Sequence, residues 1–258
     1  MENQELFVPS VHSSLEILEW LSKEEHKYST LTDLSNNLHI SKSTCLRILK
    51  TLTAKGYLSY NSDSKNYSLG FSLIPLGIRS QEINDRIGRA IAYLPQVAED
   101  TGITAVLVKR IDHRLMYIGK QEPLQKIRLT VTVGETFPIH VGALGKCFLA
   151  YLDTATRAAL LSEYTTNGTF PTYTDHSLTH LDQLLEQIDQ IRREGVAQSN
   201  GEYNVGINAV ACPIFDERKK IILVLGGFTL NPIQDTDKWE EMKKKMIRHA
   251  HKISELII

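Results

Sequence analysis

Cysteine is scarce in this chain of 258 residues: Cys45, Cys147 and Cys212 are three, widely spaced, too few for a disulfide scaffold. They form no Cys-x-x-Cys pair. The seven-residue separation of His140 and Cys147 is no recurrent zinc spacing, and adding Cys212 leaves a tetrahedral site one ligand short. Long apolar runs are also missing. The longest uncharged one, Ile221–Leu230, has 10 residues, about half of a bilayer crossing. The leading MENQELF is acidic and lacks the basic-then-apolar order of a signal peptide. Neither sign of charge dominates: 29 Lys and Arg stand against 30 Asp and Glu, so nucleic-acid contact requires a local patch. Phosphate loops, dinucleotide fingerprints and serine-nucleophile elbows are absent. These absences lead us to expect a protein of a reducing cytoplasm without metal, cofactor or membrane span. A hydrophobic content of 42% suits one large or two modest domains and argues against disorder.

What is present changes character along the chain. In residues 1–71, Val11, Leu15, Leu18 and Leu21 recur at helical spacing, and Leu31, Leu34 and Leu38 follow Thr30, a candidate N-cap. Ser41 can cap a third helix to about Lys55, with Cys45, Ile48, Leu49 and Leu52 as its buried stripe and Gly56 as its stop. Two short β-prone runs, 57–60 and 65–69, flank the turn residues 61–64. Three helices and a hairpin are the order of a winged helix-turn-helix. Residues 72–89 read as a helical connector. Residues 90–258 alternate helices (90–100, 143–151, 154–164, 182–194) with strand candidates (104–111, 115–119, 126–133, 207–215, 220–228). A last helix carries Trp239, Met242, Met246, Ile253 and Ile257. Strands grouped in hairpins, with helices between them, predict an α+β domain: an antiparallel sheet flanked by helices.

Between Leu34 and Ser62, 29 residues pass without one Asp or Glu, yet Lys42, Arg47, Lys50 and Lys55 fall there. A helix entering the major groove needs short polar donors at its start and cations nearby, for base edges and for phosphates. Ser41, Lys42, Ser43 and Thr44 begin the third helix, and Arg47 lies one turn on. Lys50 and, in the hairpin, Lys65 complete the candidate DNA-binding set. A basic but merely solvated helix face is the bland alternative. Tyr57, Tyr60 and Tyr67 fit packing of the hairpin better than base stacking. The basic run from Lys243 to Lys252 is flanked by Glu240, Glu241 and Glu255 and fits a solvated face better than a second DNA contact.

The run Ser43-Thr44-Cys45-Leu46-Arg47-Ile48-Leu49, then Gly56-Tyr57-Leu58, then Tyr67-Ser68-Leu69-Gly70 resembles the DNA-binding domain of the isocitrate-lyase-regulator (IclR) family of bacterial transcription regulators. The resemblance implies a recognition helix from about Ser41 and a wing from Tyr57 to Leu69. It departs in the turn, where His39 replaces the usual Gly and Ser41 the usual Pro. His tolerates positive φ at some cost. Further on, Gly134, Pro138, His140 and Ala143-Leu144-Gly145-Lys146 resemble the family's second signature, and Glu202, Gly206, Ala211 and Pro213 its third, so the likeness spans nearly the whole chain. It implies a GAF-like effector-binding domain, a small-molecule effector, often an organic acid, and a homodimer or homotetramer.

The residues themselves supply a reason for such a site. Gly142, Ala143 and Gly145 place small side chains at a helix start, where free N–H groups and the helix dipole favour a carboxylate. Leu129, Val131, Ala209 and Cys212 would wall it, with His140, Lys146, Glu202 and Gly226 as further candidates. Packing is the alternative for both glycines, snorkelling for Lys146 and a plain loop position for Glu202. The family often has Cys or a small polar residue at the position of Ala209 and Ser at that of Gly226. Both changes put smaller and less polar side chains at this site, pointing to a bulkier or less hydroxylated ligand. The expected function is a DNA-binding regulator, a repressor of a catabolic operon, on a palindromic operator under effector control. Its rivals are an enzyme using His140 and Cys147 on a small acid, and a ligand-binding interaction protein without DNA contact.

Overall fold

A computed structural model describes residues 8–83, 85–124, 131–230 and 236–258. The chain divides into two units, Met1–Asn84 and Asp85–Ile258. The first begins with α1 (Pro9–Leu21), whose Pro9 suits the opening turn because its missing N–H would have no partner there. The expected stripe of α1 is rotated. Ile17 and Leu21 are the buried pair, whereas Val11 and Leu15 are 55% and 53% exposed. Two overlapping i, i+4 patterns exist in this helix, and the neighbours it packs against, not its periodicity, select between them.

β1 (Ser29–Thr30) leads into α2 (Leu31–Asn37), which Thr30 and Asp33 close with a reciprocal capping box. α3 (Lys42–Ala54) follows a tight turn, and β2 (Leu58–Asn61) and β3 (Asn66–Leu69) form the hairpin. All three strands make one antiparallel sheet in the order β1-β3-β2. Ile17, Leu34, Cys45, Leu49 and Leu58 form the core of this unit. α4 (Leu73–Ile83) follows the hairpin.

The second unit opens with α5 (Asp85–Ala92) and α6 (Leu94–Thr101), where one helix over 90–100 was the expectation. Pro95 in the first turn of α6 has no N–H to continue the ladder, so the chain breaks at Tyr93. The expected connector over 72–89 thus covers α4 and the first part of α5. β4 (Thr104–Ile111), β5 (Arg114–Gln121), β6 (Thr136–Pro138), α7 (Gly142–Ala150), α8 (Thr154–Ser162) and α9 (Leu181–Glu194) come next. β7 (Ala197–Asn200), β8 (Ile207–Phe215), β9 (Ile221–Leu230) and α10 (Thr236–Leu256) complete it. The six strands are antiparallel in the order β6-β5-β4-β9-β8-β7.

Of the strand candidate at 126–133, residues 126–130 lie outside the described residues and 131–133 are not strand. The edge next to β5 is β6 instead. β7, with its polar Ala-Gln-Ser-Asn sequence, shows no hydrophobic alternation and forms because β8 supplies a pairing edge.

Alternation along β8 separates two layers. Ala209 and Ala211 face a core shared with α7 and α9, including Leu144, Phe148, Leu184 and Ile188. Val210 and Cys212 face the opposite core, shared with α6 and α10, including Leu94, Val97, Met246 and Ile253. Each layer buries the apolar side of its helices against one sheet face.

Candidate functional sites

The turn before α3 is held from both sides. Ile40 N–H donates to the Ser35 carbonyl at 3.1 Å, and the buried Ser35 hydroxyl donates to the Ile40 carbonyl at 2.7 Å. Between them His39 sits at φ 54°, the left-handed position that ends α2 and for which Gly is preferred. Ser41 then caps α3: its Oγ accepts from Thr44 N–H at 3.3 Å and donates to Thr44 Oγ1 at 2.9 Å.

Cys45, Ile48 and Leu49 anchor one face of α3 in the core. Ser41, Lys42, Ser43, Thr44, Arg47 and Lys50 are all exposed, and Ser43, Arg47 and Lys50 share a stripe at i, i+4, i+7. Lys65, also exposed, stands at the hairpin turn with φ 57°. Among the described residues no carboxylate pairs with any of these cations. Tyr67 is buried and its ring lies 4.7 Å from that of Tyr60, tilted by 39°, so this pair packs the wing. In α10, by contrast, Lys245, Arg248 and His249 converge on Asp100, and Lys243 pairs with Glu240.

The second unit encloses a cavity of about 100 Å3 at the start of α7. Val131, Gly142, Ala143 and Ala209 line it, joined by residues that sequence reasoning missed: Tyr117, Phe137, Val141, Leu144, Ser199, Tyr203, Asn204, Ile207 and Phe228. No side chain caps α7, so the amides of its first turn lack the partner that a Ser or Asp at Val141 would supply. Burial pushes the Tyr117 phenol well up, keeping it protonated as a donor. Alternation could have flagged Tyr117 and Phe228. Tyr203 and Asn204 carry no such signal, because a loop brings them in.

The remaining candidates lie elsewhere. Leu129 is outside the described residues. Cys212 is on the opposite sheet face, fully buried against the α10 layer, because it is three residues from Ala209 and side chains alternate. Gly145 lies against the backbone of Ile139, where a Cβ would overlap the Ile139 carbonyl oxygen. Gly226 is filled in by Leu144, whose Cδ2 would overlap a Cβ there. Both glycines therefore serve close packing of α7.

Lys146 is 1% exposed, with Nζ 2.7 Å from Gln187 Oε1 and 2.5 Å from Glu202 Oε1. Burial pulls its pKa down and pushes that of Glu202 up, with their mutual attraction opposing both. Through Gln187 and Glu202, Lys146 ties α7 to α9 and to the loop that carries Tyr203 and Asn204. His140 is buried against Phe170 (5.0 Å, 10° between planes) and Tyr164 (4.6 Å). Neither of its ring nitrogens has a hydrogen-bond partner among the described residues. Desolvation lowers its pKa to about 4 and pushes the Cys147 thiol well up, so both are neutral near pH 7. Thiolate–imidazole chemistry requires the opposite. Among the described residues no three His, Cys, Asp or Glu side chains cluster as metal ligands, and no helix is long and apolar enough to cross a membrane.

A capped, acid-free third helix beside a β-wing defines a winged helix-turn-helix protein, a class that reads duplex DNA with that helix. Family models identify which one. That described as "IclR helix-turn-helix domain" matches residues 10–62, and "Bacterial transcriptional regulator IclR C-terminal" matches residues 80–255. The chain belongs to the IclR family of bacterial transcriptional regulators. It is 29% identical to the HTH-type transcriptional regulator KdgR of Dickeya chrysanthemi over 90% of this chain and 73% of that one. It is 28% identical to the regulator XynR of Escherichia coli over 93% of each. An IclR transcriptional regulator structure from Alicyclobacillus acidocaldarius superposes with a TM-score of 0.89 at 39% identity, covering 98% of this chain and all of that one. These relatives are regulators, and the chain is a DNA-binding transcriptional regulator, not an enzyme.

Proposed function

We propose that this regulator is a cytoplasmic repressor of a catabolic operon that binds a palindromic operator as a homodimer or homotetramer and is released by a small carboxylate. The observation that carries the effector reading is the uncapped first turn of α7 opening into the cavity. Its amides and the helix dipole offer an anion site among mostly apolar walls. Val131, Gly142, Ala143 and Ala209, with Tyr117, Ser199 and Asn204, form the effector site in this reading. Gly145, Gly226, Lys146 and Glu202 shape its walls from behind. A cavity of about 100 Å3 favours an acid of few heavy atoms rather than the bulkier ligand expected from Ala209 and Gly226, because Leu144 fills the space beside Gly226. At the DNA, Ser43, Thr44 and Arg47 read bases from the exposed start of α3, and Ser41, Lys42, Lys50 and Lys65 hold the backbone. Residues 72–89 would transmit effector occupancy, which requires unequal effector affinity in the DNA-competent and incompetent states.

The test is fluorescence anisotropy on the chain's own upstream promoter, titrated with salt and then with small organic acids. Promoter-selective binding with a slope of about −0.9 per phosphate contact, and release by one class of acid, is the expected result. Release that persists in the cavity-filling Ala209→Leu variant would overturn the effector site. Binding no tighter than to random DNA, with or without acids, would overturn the operator reading.

A further inference from the structure

We propose that the cleft along the open edge of β7 is a second small-molecule site, selective for neutral polyhydroxylated ligands of the sugar or polyol class. Among the described residues β7 ends the six-stranded sheet and pairs only with β8, and the cleft of about 440 Å3 beside it draws its walls from α9, β7 and α10.

Its polar groups are oriented by hydrogen bonds made behind them. Lys146 Nζ can only donate, so Gln187 and Glu202 each turn one oxygen to it (2.7 and 2.5 Å). That leaves the Gln187 amide NH2 and the second Glu202 oxygen for the cleft. Trp239 Nε1 also only donates, and at 2.9 Å it takes Gln198 Oε1, leaving the Gln198 NH2. Gln190 donates to Glu194 at 2.7 Å, leaving its carbonyl oxygen.

The cleft thus interleaves fixed donors with fixed acceptors. Hydroxyl groups, each both donor and acceptor, match that set, and the indole of Trp239 offers a flat apolar surface for a C–H face. Among the described residues Glu194 and Glu202 line the cleft and no Lys or Arg does, the buried Lys146 being bound to Glu202 behind it, so an anion is disfavoured. This ligand class is opposite to that proposed for the α7 cavity and does not depend on it, although Ser199 lines both.

Trp20 and Trp239 are the two tryptophans of the chain, so Trp20→Phe leaves Trp239 as sole reporter. Its emission would be titrated with xylose, glucose and inositol to about 10 mM, with calorimetry on the unaltered chain in parallel. A saturable response to at least one of them is expected, weakened about tenfold by Gln190→Ala or by Asn200→Ala, Asn200 also lining the cleft, and unchanged by Ala209→Leu. No saturable response by either method would overturn the site. So would a response lost in Ala209→Leu but intact in the other two variants. A response to acetate or to methylamine alone would overturn the neutral class.

Discussion

Arg47 and His140 show how differently a single side chain can matter here. Arg47 is exposed on α3 with no carboxylate partner among the described residues. Arg47→Ala should cost about 1–3 kcal/mol of operator affinity if it reads a base edge, with relaxed specificity at that position. An equal loss on all DNA, with a shallower salt slope, would make it a phosphate contact instead. His140 acts on stability. Its folded pKa is lowered from 6.5 to about 4 by burial, so its neutral form contributes fully above pH 6.5. That contribution disappears as pH falls toward 4, amounting to about 3 kcal/mol. His140→Phe should flatten the urea-unfolding stability between those pH values, and it should not lower stability at pH 7, since it removes two orphaned nitrogens. A profile as steep as that of the unaltered chain would assign the acid sensitivity elsewhere. The signature likeness drew attention to His140, but its function as aromatic core depends on Phe170 and Tyr164, 30 and 24 residues away in sequence.

Among the elements, α7 is held closest. Its Gly145 rests on the Ile139 backbone and its Leu144 occupies the space above Gly226. Gly145→Ala must push the helix off a carbonyl that cannot move aside, at a cost of about 1–3 kcal/mol, and should open the cavity walls. Thermal unfolding would show the loss, and effector response should weaken more than DNA binding does. Gly145 and Gly226 read equally well as ligand contacts in the sequence, because spacing does not say which neighbour fills the missing Cβ. Local features were more legible. The turn residues between β4 and β5 and between β8 and β9 did place hairpins, with Asp112 and Lys219 at φ 49° and 58°. Caps at Thr30 and Ser41 were readable for the same reason: they depend on atoms three residues apart.

For the whole molecule, the exposed apolar side chains of the first unit stand out. Phe71, Ile74, Leu76, Ile78 and Ile83 on or beside α4 are each more than half exposed, as are Val8, Val11 and Leu15 at α1. An 11-residue helix is marginal in water unless an apolar face is covered, so α4 calls for a partner surface. This supports the proposed homo-oligomer. Ile78→Asp should shift sedimentation toward the monomer and, on a two-half-site operator, lower affinity by more than tenfold while leaving binding to a half-site unchanged. Sedimentation unaltered by Ile78→Asp together with Ile74→Asp would place the interface elsewhere.

Composition and pattern alone determined that the chain is a winged helix followed by an antiparallel sheet domain, that its third helix is free of acidic residues, and which turns close which hairpins. Each of these rests on neighbours within a few residues, where periodicity, capping and charge act directly. Tertiary structure decided which face of α1 is buried, that Cys212 lies opposite Ala209, that Lys146 is tied to Glu202 across 56 residues, and that a loop contributes Tyr203 and Asn204 to the cavity. Those outcomes depend on which surfaces meet after folding, and burial, unlike helix spacing, is a property of the partner as much as of the residue.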